Sequence, residues 1–369
     1  MRVGVIGGGQ LGRMLALAGI PLGMRFRFLD PAPEPCATEV GEHLNAPFDD
    51  AAALTSLAAD CDLVTCEFEN VPATAFDLLA PGSQHPAREA LHTAQERGRE
   101  KACFESVGIP VAPWRTADDQ AAIEKAVAEL GLPLIAKTRT LGYDGKGQRR
   151  LHEPDDAREL YESMGGVPLL LERLVDFDSE LSVIGTRAKD GGKVIYPLTA
   201  NMHRNGILHR SEQANVDQAL ARQATRHFSA LTDALGYVGT LAIEFFVSGN
   251  LLLGNEFAPR VHNSGHWTQN GMPHGQFENH MRAVSGLPLG GGAPIGVSGM
   301  INLIGSLPDT GTILANADAY LHDYGKAPRP GRKLGHVNVV ARSASELHRS
   351  LDSIEKLLDR DTAPEPQQV

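Results

Sequence analysis

The chain opens with a short apolar run and a glycine-rich turn, and this opening constrains the fold more than any other stretch. Residues 3–6 are followed by Gly7, Gly9 and Gly12, which have the spacing G-x-G-x-x-G. Such a turn joins a buried strand to a helix whose N-terminal N–H groups attract anions. Asp30 follows a second apolar run, at the place where a dinucleotide-binding domain holds a ribose. The opening predicts a Rossmann-like parallel sheet and leaves the ligand of its turn open.

Apolar periodicity extends this α/β pattern along the chain. It predicts helices at 10–22, 93–106, 121–130 and 220–235. It predicts strands at 3–6, 25–29, 63–66, 134–137, 169–174, 181–187, 194–198, 240–247, 251–257 and 298–304. Ligands of a parallel sheet bind beyond the carboxyl ends of its strands. We therefore expect the glycine turn and residues 67–70, which follow the strand at 63–66, to face one pocket.

Composition excludes several classes of function. The 369 residues carry a net charge of −11, which argues against a nucleic-acid partner because a phosphate backbone requires a basic surface. No apolar run approaches the length of a membrane span, and the N-terminus offers no cleavable signal. The four cysteines contain no C-x-x-C pair, which predicts reduced thiols. We expect a cytoplasmic protein of two or three domains, with no membrane partner.

Two glutamates interrupt apolar strand patterns that are joined by a turn at 248–250. Glu244 lies within the run 242–246, and Glu256 lies within the run 252–257. Burying a carboxylate without a partner is costly, and Mg²⁺ accepts carboxylate oxygens while leaving positions for phosphate oxygens. The pair therefore favours a magnesium site. On the solvent face of a half-exposed hairpin, the same carboxylates would need no ligand.

The polar run 257–271 comes directly after the second of these strands. Arg260 offers a planar fork to an anion, and His262 and Asn263 can donate hydrogen bonds to developing negative charge. A structural loop rich in capping residues is the alternative interpretation. We favour a catalytic loop, because a plain loop rarely needs so many hydrogen-bonding groups after a buried strand.

Two further clusters suit phosphate groups. Lys137 ends an apolar strand and precedes the glycine-rich turn 142–148, whose N–H groups can approach phosphate oxygens and which can close as a lid. The run 326–333 contains four cations and suits a phosphorylated substrate. The alternatives are an ordinary turn for the first cluster and a solvated surface loop for the second.

The stretches GGGQLGRM, EFENV, GYDGKGQ, YPLTANMHRNGI, NEFAPRVHNSGHWTQNG and RPGRKLGH resemble the 5-(carboxyamino)imidazole ribonucleotide synthases of the ATP-grasp superfamily. The resemblance covers residues 4 to about 338. It implies an α/β and α+β protein with an ATP-grasp fold, an N-terminal Rossmann-like parallel-sheet domain and a small C-terminal domain. The implied division is 1–94, 95–289 with a lid subdomain at about 115–175, 290–361, and a disordered tail at 362–369. It also implies a homodimer.

The resemblance further implies a reaction in purine biosynthesis. Bicarbonate attacks the γ-phosphoryl group of ATP to give carboxyphosphate, and the amine of 5-aminoimidazole ribonucleotide captures the carbon dioxide. Mg²⁺ neutralises the phosphates. A lid around the turn 142–148 would protect carboxyphosphate from water.

Site residues follow from matching motifs. For ATP the resemblance implies Arg97, Lys137, Gly142, Tyr143, Asp144, Gly145, Lys146, Gly147, Gln148, Glu172, Arg173, Leu174, Val175, Glu180, His203, Asn255 and Glu256. For Mg²⁺ it implies Glu244 and Glu256. For bicarbonate, carboxyphosphate and the reacting amine it implies Arg260, His262 and Asn263. For the ribonucleotide it implies Gln10, Leu11, Glu69, Lys326, Arg332 and Lys333.

Three alternatives remain open from the sequence. A formate-dependent glycinamide ribonucleotide transformylase shares the same three-part plan. An NAD-dependent oxidoreductase would use the opening glycine turn and Asp30, but it leaves Glu244, Glu256 and the loop after them unexplained. A regulatory nucleotide-binding module would bind ATP without turnover.

Overall fold

The structure is a computed structural model that describes residues 1–78, 82–142 and 147–361. Its N-terminal part is a parallel sheet with the strand order β3-β2-β1-β4. The strands are β1 (Arg2–Ile6), β2 (Arg25–Asp30), β3 (Glu42–Asn45) and β4 (Leu63–Cys66). The helices are α1 (Gln10–Gly19), α2 (Ala51–Asp60) and α3 (Arg88–Ala94).

The central strands of this sheet are covered on both faces, which explains their continuous apolar sequences. Val3, Val5 and Ile6 of β1 have no exposed surface. Ile6 pairs in parallel with Cys66, the last residue of β4. The glycine turn after β1 and the acidic residues after β4 therefore start side by side at one sheet edge.

A second sheet is antiparallel, has the order β5-β8-β6-β7, and encloses its own core around Ile123, Leu134 and Leu169. We call it the lid sheet. Its strands are β5 (Trp114–Ala117), β6 (Leu134–Thr138), β7 (Gln148–Leu151) and β8 (Leu169–Arg173). The helices of this region are α5 (Gln120–Leu130) and α6 (Leu160–Ser163). Helix α4 (Arg97–Ser106) precedes the lid sheet, and its Phe104 packs in a different core.

The third sheet has the order β14-β13-β9-β11-β12-β15-β17-β16, and β10 pairs with β9. Its strands are β9 (Ser179–Arg187), β10 (Lys193–Ile195), β11 (Thr199–Arg204), β12 (Ile207–Gln213), β13 (Gly239–Ser248), β14 (Leu251–Ala258), β15 (Val297–Ile304), β16 (Ala319–Asp323) and β17 (Lys333–Ala341). The accompanying helices are α7 (Gln218–Ala234), α8 (Thr268–Gly271), α9 (Gln276–Ser285), α10 (Thr310–Leu314) and α11 (Ala344–Asp361).

The C-terminal strands extend this third sheet. β15 pairs with β12 through Arg210↔Ile301 and Ser211↔Met300, and β17 then pairs with β15. A continuous ladder of backbone hydrogen bonds thus connects the C-terminal segment to the strands that carry Glu244 and Glu256.

Three predicted elements are wrong in their bounds by more than two residues. The helix predicted at 10–22 ends at Gly19, and a separate 3-10 turn follows at Ile20–Leu22. The helix predicted at 93–106 is two helices, because the Glu96 side chain accepts hydrogen bonds from the N–H groups of Gly98 and Arg99 and so begins α4 anew. The strand predicted at 194–198 ends at Ile195, where its pairing with β9 stops. The predicted tail at 362–369 lies outside the described residues.

Candidate functional site

One cavity of about 680 Å³ lies between the edge of the parallel sheet, the lid sheet and the third sheet. Most of the predicted site residues line it. These are Gln10, Leu11, Glu69, Arg97, Lys137, Gly142, Gln148, Glu172, Arg173, Leu174, Val175, Glu180, His203, Glu244, Asn255, Glu256, Arg260, His262, Asn263 and Lys333.

The remaining predicted residues divide into two groups. Gly147, Lys326 and Arg332 are described by the structure but do not line the cavity. The predicted contacts Tyr143, Asp144, Gly145 and Lys146 lie outside the described residues.

Glu244 and Glu256 are direct cross-strand partners in the β13–β14 hairpin. The register shifts immediately beyond this pair, because Phe245 pairs with Gly254 and Asn255 is the extra residue of a bulge. Bulges re-aim side chains at functional sites. The hairpin thereby presents two carboxylates and the Asn255 amide to the cavity from adjacent positions.

The electrostatics of this pair favour a cation. Burial, and then the charge of Glu256, raise the pKa of Glu244 to about 7. The buried Oδ1 of Asn255 has no hydrogen-bond partner among the described residues. Carboxylate and amide oxygens are the ligands that Mg²⁺ takes while keeping positions for water and phosphate. Across residues 1–78, 82–142 and 147–361, no group of three or more His, Cys, Asp or Glu side chains could hold a metal ion by itself.

Arg260 and Glu69 form an ion pair across the cavity, between the loop after β14 and the segment after β4. Burial alone would raise the pKa of Glu69, but the Arg260 guanidinium lowers it below its ordinary value. Arg260 also donates a hydrogen bond to the carbonyl of Val261 over 3.1 Å. The guanidinium is thus held at the boundary between the parallel sheet and the third sheet.

His262 is a neutral imidazole whose tautomer follows from its contacts. Burial, and then the nearby Arg260 charge, lower its pKa to about 3. Its Nδ1 lies 2.7 Å from the Ser264 hydroxyl and accepts from the Ser264 N–H. The proton therefore sits on Nε2, which lies 3.6 Å from Glu244 Oε1. In this state the Nε2–H faces the cavity beside Glu244, too far from its carboxylate for a hydrogen bond, and can donate to another group there.

A buried ion-pair network connects the lid sheet to the third sheet. The Glu172 carboxylate in β8 binds Lys137 of β6 and lies 3.0 Å from Lys101 Nζ of α4. Lys101 also donates to the carbonyls of Gly254 and Asn255. Burial alone would raise the pKa of Glu172, but the two lysines lower it to about 2.

Two further contacts order the side of the cavity that is formed by the lid sheet and the β13–β14 hairpin. Arg97 donates to Glu256 over 3.1 Å and to the carbonyl of Gly142, which ties the start of the glycine-rich turn to β14. His203 Nδ1 lies 2.8 Å from Glu180, and although burial alone would lower the pKa of His203, this carboxylate raises it.

The opening glycine turn carries an anion of its own. The Glu67 carboxylate accepts hydrogen bonds from the N–H groups of Gly9 over 2.5 Å and Gly12 over 2.7 Å, at the N-terminus of α1. Asp30 accepts from the N–H groups of Gly8 and Ala32, one at each carboxylate oxygen. The groups that would hold a pyrophosphate and a ribose are therefore engaged, and the dinucleotide interpretation of this turn is wrong.

The basic segment after β16 approaches the same turn. Lys326 donates a hydrogen bond to Gln10 Oε1. Arg332 instead donates to the carbonyl of Ala327, and Lys333 lines the cavity from β17. The structure thus brings Lys326 to Gln10 and Lys333 to the cavity, and it turns Arg332 toward its own loop.

Sequence reasoning missed two buried charged residues around the cavity, Glu100 and Lys101. It placed Glu67 at the pocket with residues 67–70, but it did not identify the N–H groups of Gly9 and Gly12 as the partners of Glu67. Glu100 accepts from the N–H of Phe257, and burial followed by the charge of Glu256 raises its pKa to about 8. Glu100 and Lys101 lie in the sequence REKACFES, whose charges resemble a solvated helix face and carry no periodic signal.

Comparisons with known families match almost the whole chain. Residues 1–95 match the ribonucleotide synthetase preATP-grasp domain, residues 102–277 match the ATP-grasp domain, and residues 298–350 match the phosphoribosylaminoimidazole carboxylase C-terminal domain. The predicted fold class is confirmed.

Several relatives match this chain over nearly its full length and over nearly the full length of their own chains. The N5-carboxyaminoimidazole ribonucleotide synthase of Pseudomonas aeruginosa is 47% identical over 97% of this chain and 100% of its own. That of Escherichia coli is 39% identical over 97% and 95%. The crystal structure of the Thermus thermophilus synthetase superposes with a TM-score of 0.92 at 44% identity, covering 99% and 100%. An Aspergillus clavatus synthase in complex with ADP and 5-aminoimidazole ribonucleotide gives 0.87 at 31% identity, covering 97% and 98%.

Proposed function

The chain belongs to the N5-carboxyaminoimidazole ribonucleotide synthases, the ATP-grasp ligases that the sequence motifs resemble, and from that premise we propose how its residues divide the reaction. The observation that carries the proposal is the meeting of two residue sets in one cavity. The Glu244–Glu256 pair faces the nucleotide side, and the loop with Arg260 and His262 faces the parallel sheet.

On the nucleotide side, Lys137, Arg97 and His203 bind the phosphates of ATP, and Glu180 binds its ribose. The backbone of Glu172, Arg173, Leu174 and Val175 follows the adenine. The Glu172 side chain has a different task, because its carboxylate already holds Lys101 and Lys137. We assign it to orienting Lys137 toward the phosphates.

Glu244, Glu256 and the Asn255 amide fit Mg²⁺, as their oxygen donors and the raised pKa of Glu244 indicate. When bound, the ion supplies charge neutralisation between the transferred phosphoryl group and the carboxylates. Arg97 balances the Glu256 charge from the other side.

In the first step, a bicarbonate oxygen forms a bond to the γ-phosphorus of ATP, and the bond from that phosphorus to the bridging oxygen breaks to release ADP. Arg260 holds bicarbonate through its guanidinium, and the Nε2–H of His262 donates to oxygen as negative charge develops. Asn263, whose buried amide atoms have no hydrogen-bond partner among the described residues, donates and accepts beside them.

In the second step, carboxyphosphate, still held by Arg260 and His262, releases phosphate and carbon dioxide. The amine nitrogen of the ribonucleotide forms the new C–N bond and gives its proton to the released phosphate. Glu69, Gln10 and Leu11 contact the ribonucleotide, while Lys326 and Lys333 attract its phosphate. Arg332 joins them only if its loop turns inward, since its guanidinium now binds a neighbouring carbonyl.

The larger organisation completes the proposal. We divide the chain at about residues 94 and 289, assign the lid to about 115–175, and expect a cytoplasmic homodimer. The separate core of the lid sheet supports the assignment of the lid, and the four free cysteines fit a reducing compartment, while the homodimer follows from the family resemblance alone. Within the described residues, none of the helices combines the length and apolar character needed to cross a membrane.

The decisive experiment measures ADP release with each component omitted in turn. We expect release that requires bicarbonate, Mg²⁺ and 5-aminoimidazole ribonucleotide together, with loss of turnover and retention of ATP binding in Glu256→Gln. Formate and glycinamide ribonucleotide form the comparison arm. Activity with those two substrates and none with the first set would refute the proposal.

A further inference from the structure

Gln276, the first residue of α9, pairs with the backbone of His262 on both sides. Its Oε1 accepts from the His262 N–H over 2.9 Å, and its Nε2 donates to the His262 carbonyl over 2.7 Å. The side chain has no exposed surface. A side-chain amide has a donor and an acceptor side by side, so it can form the same pair of hydrogen bonds to a residue's main chain that a neighbouring β-strand forms.

A third hydrogen bond fixes the orientation of this amide. The Nε2 of Gln276 also lies 3.1 Å from Nδ1 of His266. Because Nε2 is a donor, His266 Nδ1 accepts. The main chain of Gln276 is held as well, since its N–H donates to Thr268 Oγ1 and its carbonyl accepts from Thr240 Oγ1.

The loop leaves no space for another arrangement. A Cβ at Gly265 would stand 2.8 Å from Gln276 Oε1, so the amide fills the room that a side chain there would need. His266 in turn packs against the ring of His336, at 4.7 Å between ring centroids. His336 bonds to Gln269 and Tyr324. The pairing is therefore supported by buried rings from the C-terminal strands.

We propose that Gln276 is the positioning residue for His262, fixing its main chain so that the Nε2–H faces the cavity and the reacting oxygens. The geometry requires the amide, because only a group with adjacent donor and acceptor satisfies both the N–H and the carbonyl of His262. This inference rests on the function proposed for His262. It adds that the yield of the second step depends on a residue that touches no substrate.

The test is the coupling ratio, defined as ribonucleotide consumed per ADP released. Gln276→Met removes the donor and the acceptor at similar length, and Gln276→Leu removes both with a branched apolar side chain. We expect the coupling ratio of each to fall below half of the wild-type value, with the KM for ATP within twofold, because a misplaced His262 lets carboxyphosphate hydrolyse.

The matched control is Asn279→Asp, three residues further along α9. Asn279 is equally buried, and its amide bonds to Tyr196 Oη and to the carbonyl of Gly290, away from the cavity. Its replacement loses donors from a buried amide in the same helix but leaves His262 paired. We expect lower thermal stability with a wild-type coupling ratio. MgATP-induced thermal shifts identify folded protein in every variant.

The outcomes separate the two proposals. If the wild-type protein releases no ADP in response to bicarbonate and ribonucleotide, the proposed function fails. If the wild type is coupled and both Gln276 variants are equally coupled, the positioning role fails. Equal uncoupling in Asn279→Asp would also overturn it, because the effect would then report general loosening of α9.

Discussion

The substitution Gly9→Ala tests whether the opening turn is shaped by Glu67. A methyl group at Gly9 would stand 2.5 Å from Glu67 Oε1 and 3.1 Å from Oε2. Gly9 itself has φ −79°, a backbone conformation that alanine adopts without strain. Any decrease in the free energy of unfolding therefore comes from the clash with the Glu67 carboxylate and not from backbone strain at residue 9.

The magnitude follows from the hydrogen bonds that the carboxylate must give up. Glu67 has to retreat by about 1 Å to restore ordinary contact, which lengthens its bonds to Gly9 and Gly12 beyond useful range. A hydrogen bond to a charged group contributes about 1.5–3 kcal/mol, so two contribute about 3–6 kcal/mol. Replacing glycine with alanine also stabilises the folded state by about 0.5 kcal/mol, because alanine restricts the conformations of the unfolded chain. We expect a net loss of about 3–5 kcal/mol.

The assay is urea denaturation, with hydrogen exchange of peptides from residues 1–30 to assign the loss to the parallel sheet. Gly291→Ala is the control, since a Cβ there meets no atom within 4 Å. A double-mutant cycle with Glu67→Ala isolates the pair. We expect Gly9→Ala to cost less than 1 kcal/mol once Glu67 is absent, and an equal cost in both backgrounds would refute the reasoning.

Three further predictions concern ionic groups of the cavity and of the basic segment after β16. The pKa of Glu172 is lowered from 4.5 to about 2, so the stabilisation that its ionised form provides is complete above pH 4.5 and is lost as pH falls toward 2. In Glu172→Gln, the free energy of unfolding should therefore depend less on pH within that window, as measured by circular dichroism against pH. Arg260→Lys keeps the charge but loses the fork that binds Glu69, so we expect kcat to fall at least about tenfold while the MgATP thermal shift is retained. Lys326→Met should raise the KM for the ribonucleotide about tenfold without changing the KM for ATP, and an unchanged ribonucleotide KM would remove Lys326 from the substrate site.

Sequence patterns predicted the elements that position the site, because those elements bury continuous or alternating apolar residues. The β13–β14 hairpin is an example, since Glu244 and Glu256 stand out against apolar neighbours and the structure makes them cross-strand partners. Helix α9 and strand β17 were not predicted. Their buried faces carry Gln276, Asn279, His336 and Asn338, polar residues that read as exposed until their hydrogen-bond partners are known.

The family resemblance pointed to residues that line the cavity, but it did not point to the residues that hold those side chains in place. Lys101 and Glu100 contact the main chain of β14 at Asn255 and Phe257. A hydrogen bond to a main-chain group does not depend on the residue type that carries that group, so no pattern in the sequence connects these helix residues to the strand. The contact exists only once α4 is packed against β14.

The glycine turn shows the same limit in a sharper form. Its spacing predicts that backbone N–H groups converge on an anion, and in the structure they do, but the spacing does not identify which anion binds. Here Glu67 comes from the adjacent strand end and occupies the position itself. A phosphate would have to displace a buried carboxylate and leave it without its two donors. The turn therefore supports the wall that carries Gln10, and the phosphate contacts that we propose belong to Lys137 and to the cations after β16.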